Sequence, residues 1–399
     1  MNAAAGRWDL VVAGAGPAGA AAALGALDAD PGLRVLLLDR SDFPRDKCCG
    51  DGIAPHVFDA LAAVGVHDAG DGWTPLRRLE LARGGWSVAR TMARSVHVIP
   101  RSVFDARLVA AAVDRGAVLA RHRVSSLRRH GDEVVIDDRV TARLLVGADG
   151  AHSTVRSWAA RRRTGRRALA IRGYAPTAAG RRGTQVIRYG DGHQPAYAWA
   201  FDRGDGLSNV GYGELLPARG TDDAAPSRVR LLDRLEELIP GAGDGASDWR
   251  GHHLPLSSLR WHQPDGPVLL VGDAAGLVNP MTGEGIYYAV ATGILAGRAA
   301  AGALDARAPA DAGSVHRRAV RRLLARHLRH TWTAARLTEV PAVVDAGIRA
   351  ASKDQRTFDD LVEIGLGDGR ITPRLAGGIA RALPARLHTP PTDHRARRS

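Results

Sequence analysis

Lysine is almost missing from this chain. Only Lys47 and Lys353 occur among its 55 basic residues. The net charge of +13 is therefore carried by arginines, and these are spread over many segments. No zinc-ligand spacing, RNP-like segment or basic heptad region accompanies them, so no nucleic-acid partner is expected. A solvated arginine surface, or attraction to phosphate groups, accounts for the charge. Cysteine is equally scarce: Cys48 and Cys49 are the two in the sequence. An adjacent pair is not a disulfide framework, and it suits a reducing compartment. No apolar run is long enough for a membrane-spanning helix. The first residues lack the positive-then-apolar order of a secretory signal. These absences predict a cytoplasmic protein. Peripheral contact with the inner face of the cell membrane stays open, because the segments after 306 read as arginine-rich amphipathic helices.

What is present is a large apolar fraction, 45%, in a chain of 399 residues, enough for two interleaved domains. Residues 8–13 read as a buried strand, 17–28 as a helix of small residues and 34–39 as a second buried strand. Together they form a βαβ unit, which predicts a parallel sheet. A helix is expected at 53–64, and another at 102–115 with Ser102 as its N-cap. Strands are expected near 117–121, 133–137, 143–147 and 267–272, and a long helix at 283–303. Residues 76–100 and 168–215 alternate as strands of another sheet. The predicted fold class is α/β with mixed α+β character: a Rossmann-like dinucleotide-binding domain, an interleaved, mostly antiparallel substrate domain and a C-terminal helical segment. The dinucleotide-binding domain is drawn from 1–75, 101–165 and 266–305. The substrate-binding domain takes 76–100 and 166–265. A helical region spans 306–388, and the tail at 389–399 is expected to be disordered.

Three glycine-rich turns carry the chemistry. Gly14-Ala15-Gly16-Pro17-Ala18-Gly19 follows the first strand and opens the first helix. Gly14 permits the tight turn, Gly16 lets backbone approach a pyrophosphate, Gly19 lets helix and strand pack, and the helix N-terminus favours the phosphate charge. Asp39 ends the second strand where an acid would bind a ribose hydroxyl, with Arg40 beside it. The second turn is Asp149-Gly150 at a strand end. The third is Gly272-Asp273, followed by Pro280 and by Gly283-Glu284-Gly285-Ile286 opening a helix. Aspartates at such strand ends can hold ribityl hydroxyls, and a glycine-rich helix start can approach a flavin ring. The dinucleotide this pattern fits is FAD. Glu284 reads as a flavin-loop or helix-start residue.

Together these turns resemble the flavoprotein group with the para-hydroxybenzoate hydroxylase fold, over about residues 8–300. In that resemblance Arg101, in Pro-Arg-Ser-Val-Phe-Asp-Ala-Arg-Leu, implies a further FAD contact. The segment Phe43-Pro44-Arg45-Asp46-Lys47-Cys48-Cys49-Gly50-Asp51-Gly52 is similar to one in the geranylgeranyl reductase family, whose cysteine lies near the flavin. The matching position here is Cys49, with Gly50, Asp51 and Gly52 as cofactor neighbours. Tyr197-x-Trp199-x-Phe201 followed by Gly211-x-Gly213 resembles that family's prenyl-cavity pattern, except that Asp202 stands where the family has proline.

The resemblance implies reduction of carbon–carbon double bonds in an isoprenoid chain of geranylgeranyl or menaquinone type. The substrate is then a small molecule or lipid. NAD(P)H is implied as a transient donor to FAD, or an electron-donor protein in its place, since a single GxGxxG leaves no separate nicotinamide domain. Cys49 or an ordered water is the expected proton source. Arg45 and Lys47 beside Cys49 predict a microenvironment that favours its thiolate. The residues alone leave other readings open. A period-two aromatic stripe is also ordinary core packing, and a lone thiol is also an inert buried residue. A flavin monooxygenase of an aromatic or polyketide-like metabolite uses the same fold. The histidines, including His252-His253, show no metal-ligand spacing, so no metal is expected.

Overall fold

The computed structural model describes residues 5–160, 165–192, 194–217, 226–259 and 261–384. The tail expected to be disordered lies outside the described residues.

The first sheet contains β1 (Gly6–Ala13), β2 (Val35–Asp39), β6 (Val118–Arg121), β7 (Leu127–His130), β8 (Glu133–Ile136), β9 (Val140–Gly147) and β15 (Val268–Leu270). Its parallel core runs β6-β2-β1-β9-β15. β9 pairs along its first half with β8, and β8 with β7, both antiparallel. Every residue of β2 is buried, as expected where helices cover both faces of a parallel sheet.

The second sheet contains β3 (Gly52–Ile53), β4 (Leu76–Arg83), β5 (Trp86–Val98), β10 (Arg167–Pro176), β11 (Thr184–Tyr189), β12 (Ala196–Asp202), β13 (Leu207–Leu215) and β14 (Ser247–Pro255). The order is β14-β10-β13-β12-β11-β4-β5-β3. All its pairings are antiparallel except β4 with β11, where the early hairpin joins the later meander side by side.

The helices are α1 (Pro17–Ala29), α2 (Pro55–Ala62), α3 (Arg101–Asp114), α4 (Thr154–Ala160), α5 (Arg228–Leu238), α6 (Ile286–Asp305), α7 (Ala312–Leu337), α8 (Pro341–Lys353), α9 (Gln355–Leu366) and α10 (Pro373–Ala382). No helix among the described residues is long and apolar enough to cross a membrane. Three starts differ from the expected ones. Ile53 pairs with His97 as a strand, so α2 begins at Pro55, whose fixed φ suits a first helical turn. The α3 helix begins at Arg101 behind Pro100, and Ser102 is not its cap. The 283–285 turn is not helical, and α6 begins at Ile286.

The α1 and α6 helices pack backbone against backbone, because glycine and alanine stand at their contact: Gly25 on α1, and Gly293 and Gly297 on α6 against Ala22. A Cβ on Gly25 would lie 2.5 Å from the Ile294 carbonyl oxygen, and one on Gly297 would lie 2.5 Å from the Ala26 nitrogen. The matched positions rise together along the chain, so the helices run parallel and their N-termini lie at the same end. We expect Gly297→Val to destabilise the fold by about 3 kcal/mol or more, because backbone cannot yield as a side chain does. Urea unfolding of the purified variant measures this.

Candidate active site

The turn after β1 is held from below. The Gly14 amide donates to the Leu38 carbonyl at 2.7 Å, and Gly14 has φ of 97°, where a side chain is strained. A Cβ on Gly19 would overlap the Gly14 carbonyl, so this glycine sets helix-to-strand packing and does not line the cavity. Asp39 accepts from the Ala15 amide at 2.9 Å and the Ser41 amide at 3.0 Å. It therefore ties the phosphate loop to the end of β2, keeping one remaining lone pair per oxygen.

Above the loop stand two guanidinium groups. A Cβ on Gly16 would lie 3.3 Å from Arg45 Nη2 and 4.0 Å from Arg101 Nη2. Both arginines share one fully buried carboxylate. Arg101 donates to the two oxygens of Asp105 at 2.6 and 2.8 Å, and Arg45 donates at 3.1 Å. Arg45 also lies 3.7 Å from Asp39 Oδ2, and both guanidinium groups still face Gly16 at the N-terminus of α1. This is a cradle for an anion, and the bare Gly16 leaves its floor clear. The residues present thus fit the pyrophosphate of a dinucleotide.

The other two turns close the cofactor end of the site. Asp149 accepts from Ser153 Oγ at 2.5 Å, the Thr154 amide at 2.7 Å and the Val155 amide at 3.1 Å. Its carboxylate caps α4 and also lies at the cavity wall. Arg156 spans the two turns, donating to the carbonyls of Asp273 and Ala274 at 3.1 and 3.0 Å. Asp273 receives Lys47 Nζ at 3.4 Å. Burial alone would raise its carboxyl, but Lys47 and nearby cations outweigh that and hold it low. Glu284 accepts from the Tyr287 amide at 3.0 Å at the start of α6. Burial pushes it up to about 7, against the pull of its backbone donors.

The cysteine loop departs from expectation. Arg45 is engaged by Asp105 and Lys47 by Asp273, so neither cation is left over for Cys49. Burial dominates and raises the Cys49 thiol despite Arg101 nearby. It also pushes Cys48 up to about 12. Cys49 is therefore held as a thiol, not as the expected thiolate, and both cysteines are free. Asp51 is also placed differently: it is fully buried and absent from the cavity wall. Tyr174 and Asn209 donate to its Oδ2 at 2.5 and 2.8 Å. Burial carries the carboxyl up to about 6, with those hydrogen bonds and Arg172 opposing.

One continuous cavity of about 1060 Å³ joins these parts. Its cofactor end includes Gly14, Gly16, Pro17, Ala18, Asp39, Arg40, Arg101, Asp149, Gly150 and Asp273, and its middle includes Cys49, Gly50, Gly52, Gly283, Glu284, Gly285 and Ile286. Gly272 and Pro280 lie behind the wall. Beyond Cys49 the walls become apolar. Tyr197, Trp199 and Phe201 line one side, with ring centroids 5.9 and 6.4 Å apart along the strand. Trp199 lies opposite Gly211 and Tyr197 opposite Gly213 in the β12–β13 register. A Cβ on Gly211 would overlap the Trp199 indole, so Gly211 seats the ring from behind, whereas Gly213 reaches the cavity.

The far end is walled by α8, α9 and α10 through Val344, Ile348, Leu361, Leu375 and Ile379. Sequence reasoning did not assign these residues. Their amphipathic period was the available signal, but a period does not name the surface that its apolar face meets. That surface is β4–β5, where Val344, Ile348 and Phe358 join one core with Leu79, Leu81 and Val96. Asn209 and Tyr174 were missed as well, and no local pattern marks them.

Two outcomes follow from this geometry. Gly16 has φ of −68°, so Gly16→Val is expected to fold normally by circular dichroism and thermal unfolding while losing bound FAD from its absorbance spectrum. The folded Asp51 carboxyl lies at about 6 against 3.8, so the fold favours its protonated form, and that contribution is lost as pH rises through about 6. The stability of apo Asp51→Asn relative to wild type should therefore grow by ~3 kcal/mol between about pH 4 and about pH 8. Urea titrations across that range measure it.

Comparison with known proteins bears on the family and the fold. Residues 7–312 match the family model described as an FAD binding domain. The menaquinone reductase of Mycolicibacterium smegmatis is 36% identical over 322 residues, covering 73% of this chain and 75% of that protein. Digeranylgeranylglycerophospholipid reductase 1 of Methanopyrus kandleri is 32% identical, covering 75% and 82%. Among solved structures, a geranylgeranyl bacteriochlorophyll reductase-like protein of Thermoplasma acidophilum superposes with a TM-score of 0.76. It is 18% identical and the match covers 95% of this chain and 97% of that one, a likeness that bears on the fold.

Proposed function

Because the chain belongs to the FAD-binding-domain flavoproteins, in their geranylgeranyl reductase family, we propose that it reduces carbon–carbon double bonds in an isoprenoid chain of geranylgeranyl or menaquinone type. It is an FAD-dependent oxidoreductase. The observation that carries the substrate class is the single cavity, which passes from the anion cradle at Gly16, by Cys49, into an apolar end lined by aromatic and aliphatic side chains. An extended hydrocarbon chain suits such an end, since burying it there removes apolar surface from water.

When bound, FAD supplies the hydride that it has taken from an external donor, for which we propose NAD(P)H. The protein's own residues do the rest. Arg45, Arg101 and the N-terminus of α1 hold the pyrophosphate. Tyr197, Trp199 and Phe201 align the hydrocarbon, and the α8–α10 wall excludes water. Cys49, kept as a thiol by burial, is the proposed source of the proton for the second alkene carbon. A thiol serves as an acid only if it is not already ionised, so its high pKa suits this role.

The deciding experiment is anaerobic. Reduced holoprotein is mixed with geranylgeranyl diphosphate or a menaquinone, and flavin absorbance and product mass are followed. Reoxidation with a product heavier by one pair of hydrogens is expected. A product heavier by one oxygen atom, formed only after air is admitted, would overturn the reading in favour of a monooxygenase. Cys49→Ala is expected to retain FAD and to slow this single turnover about 100-fold or more. Unchanged turnover would assign the proton to water.

A further inference from the structure

Behind the cavity wall runs a buried chain of hydrogen bonds that neither FAD retention nor substrate contact accounts for. Trp199 Nε1 donates to Asn209 Oδ1 at 2.8 Å. Asn209 Nδ2 donates to the Cys49 carbonyl and to Asp51 Oδ2, each at 2.8 Å. The Tyr174 hydroxyl donates to the same carboxylate oxygen at 2.5 Å. Asp51 Oδ1 is buried with no partner. Asp51 has φ of 58°, a left-handed conformation that a residue other than glycine adopts at a cost. Its backbone amide serves the Cys49 sulfur, which favours the thiolate, while its carboxylate acts on that sulfur in the opposite and larger sense from behind the cavity wall. A buried, half-satisfied carboxylate in a disfavoured backbone conformation is expensive to keep. The local turn alone does not require it, because asparagine or glycine would adopt that φ without a buried charge.

We propose that Asp51 is a positioning residue for Cys49: it fixes the sulfur against the Trp199 wall and, as a neighbouring anion, keeps that sulfur in the thiol form without itself touching substrate or cofactor. Like charges disfavour each other's ionised forms, so a carboxylate behind the loop makes the thiolate harder to form. Two cations act on the pair in the opposite sense, Arg101 on both members and Arg172 on Asp51, and each also has a carboxylate partner. Arg101 at the start of α3 is bound by Asp105, and Arg172 on β10 is bound by Asp46 at 2.5 Å. Glu284 before α6 acts on Cys49 in the same sense as Asp51.

For its catalytic consequence the inference rests on Cys49 as the acid. After hydride has added to one alkene carbon, the S–H bond breaks and a C–H bond forms at the other carbon. The sulfur keeps the electron pair as thiolate, and water restores its proton once product leaves. Asp51 then sets how strongly the thiol retains its proton between turnovers.

The test uses FAD-loaded full-length protein in a Cys48→Ala background, with Cys49 alkylation by iodoacetamide followed by mass spectrometry across pH. Asp51→Asn keeps an oxygen that can accept from both Tyr174 and Asn209 but removes the charge. Its Cys49 should alkylate about tenfold faster at a fixed pH below the thiol titration, since loss of a nearby like charge lowers that pKa. The alkaline limb of kcat with geranylgeranyl diphosphate should move to lower pH by the same amount, with KM unchanged. Tyr174→Phe removes one hydrogen bond to the carboxylate, leaves it more protonated at neutral pH, and should shift alkylation in the same direction but less. Alkylation curves that superimpose on wild type in both variants would overturn the inference. A shifted alkylation curve with an unmoved kcat limb would support the Asp51–Cys49 coupling while removing Cys49 as the acid.

Discussion

The backbone contact between α1 and α6 is the constraint on which the site depends. The helices run parallel with only alanine and glycine between them, so their N-termini sit side by side. One N-terminus presents Gly16 and Pro17 to the cavity, and the other presents Gly285 and Ile286. The N-terminal ends of both helix dipoles thus lie at the place where a dinucleotide brings its negative charge, and Glu284 takes the Tyr287 amide of α6. A longer side chain anywhere along the contact would separate the two N-termini as well as loosen the core.

Around this point, charge is arranged by pairing. Asp105 is shared by Arg45 and Arg101, Asp39 lies 3.7 Å from Arg45, and both guanidinium groups face the anion cradle. Lys47 is absorbed by Asp273, and Arg172, buried against the Tyr174 ring at 4.3 Å, is absorbed by Asp46. Asp51 and Glu284 keep no cation of their own and are raised towards neutrality by burial. The middle of the cavity holds Cys49 and Glu284, whose protons burial makes harder to lose, while Asp51 acts from behind its wall. Proton donation to carbon needs groups of that kind, and an apolar wall beyond them prevents water from competing.

The C-terminal helices give the chain its apolar reach. α8 and α9 bury one face on the β4–β5 hairpin and turn other side chains into the cavity, so one packing arrangement both closes the second sheet and forms the pocket's end. Their arginines lie on the remaining faces: Arg349 stacks on Trp86 at 4.8 Å, and Arg374 pairs with Asp360. These two arginines are therefore engaged within the fold.

By itself the sequence determined what local sterics and short spacing control. The βαβ unit, the roles of Gly14 and Gly19, the apolar β2 strand and the period-two stripe on β12 each follow from neighbours within a few residues, where φ limits, missing Cβ atoms and side-chain alternation leave few choices. The tertiary structure alone decided what depends on burial and on distant partners. Arg45 and Lys47 sit beside Cys49 in the chain, yet Asp105 and Asp273 hold their charges, and Cys49 is a thiol. Asp51 lies in the glycine-rich loop, but Tyr174 and Asn209, more than a hundred residues away, draw it behind the wall. The helices after 306 had a readable period and no readable destination. A charge's partner and a face's contact are properties of three-dimensional proximity, and in an interior of low dielectric that proximity outweighs adjacency in sequence.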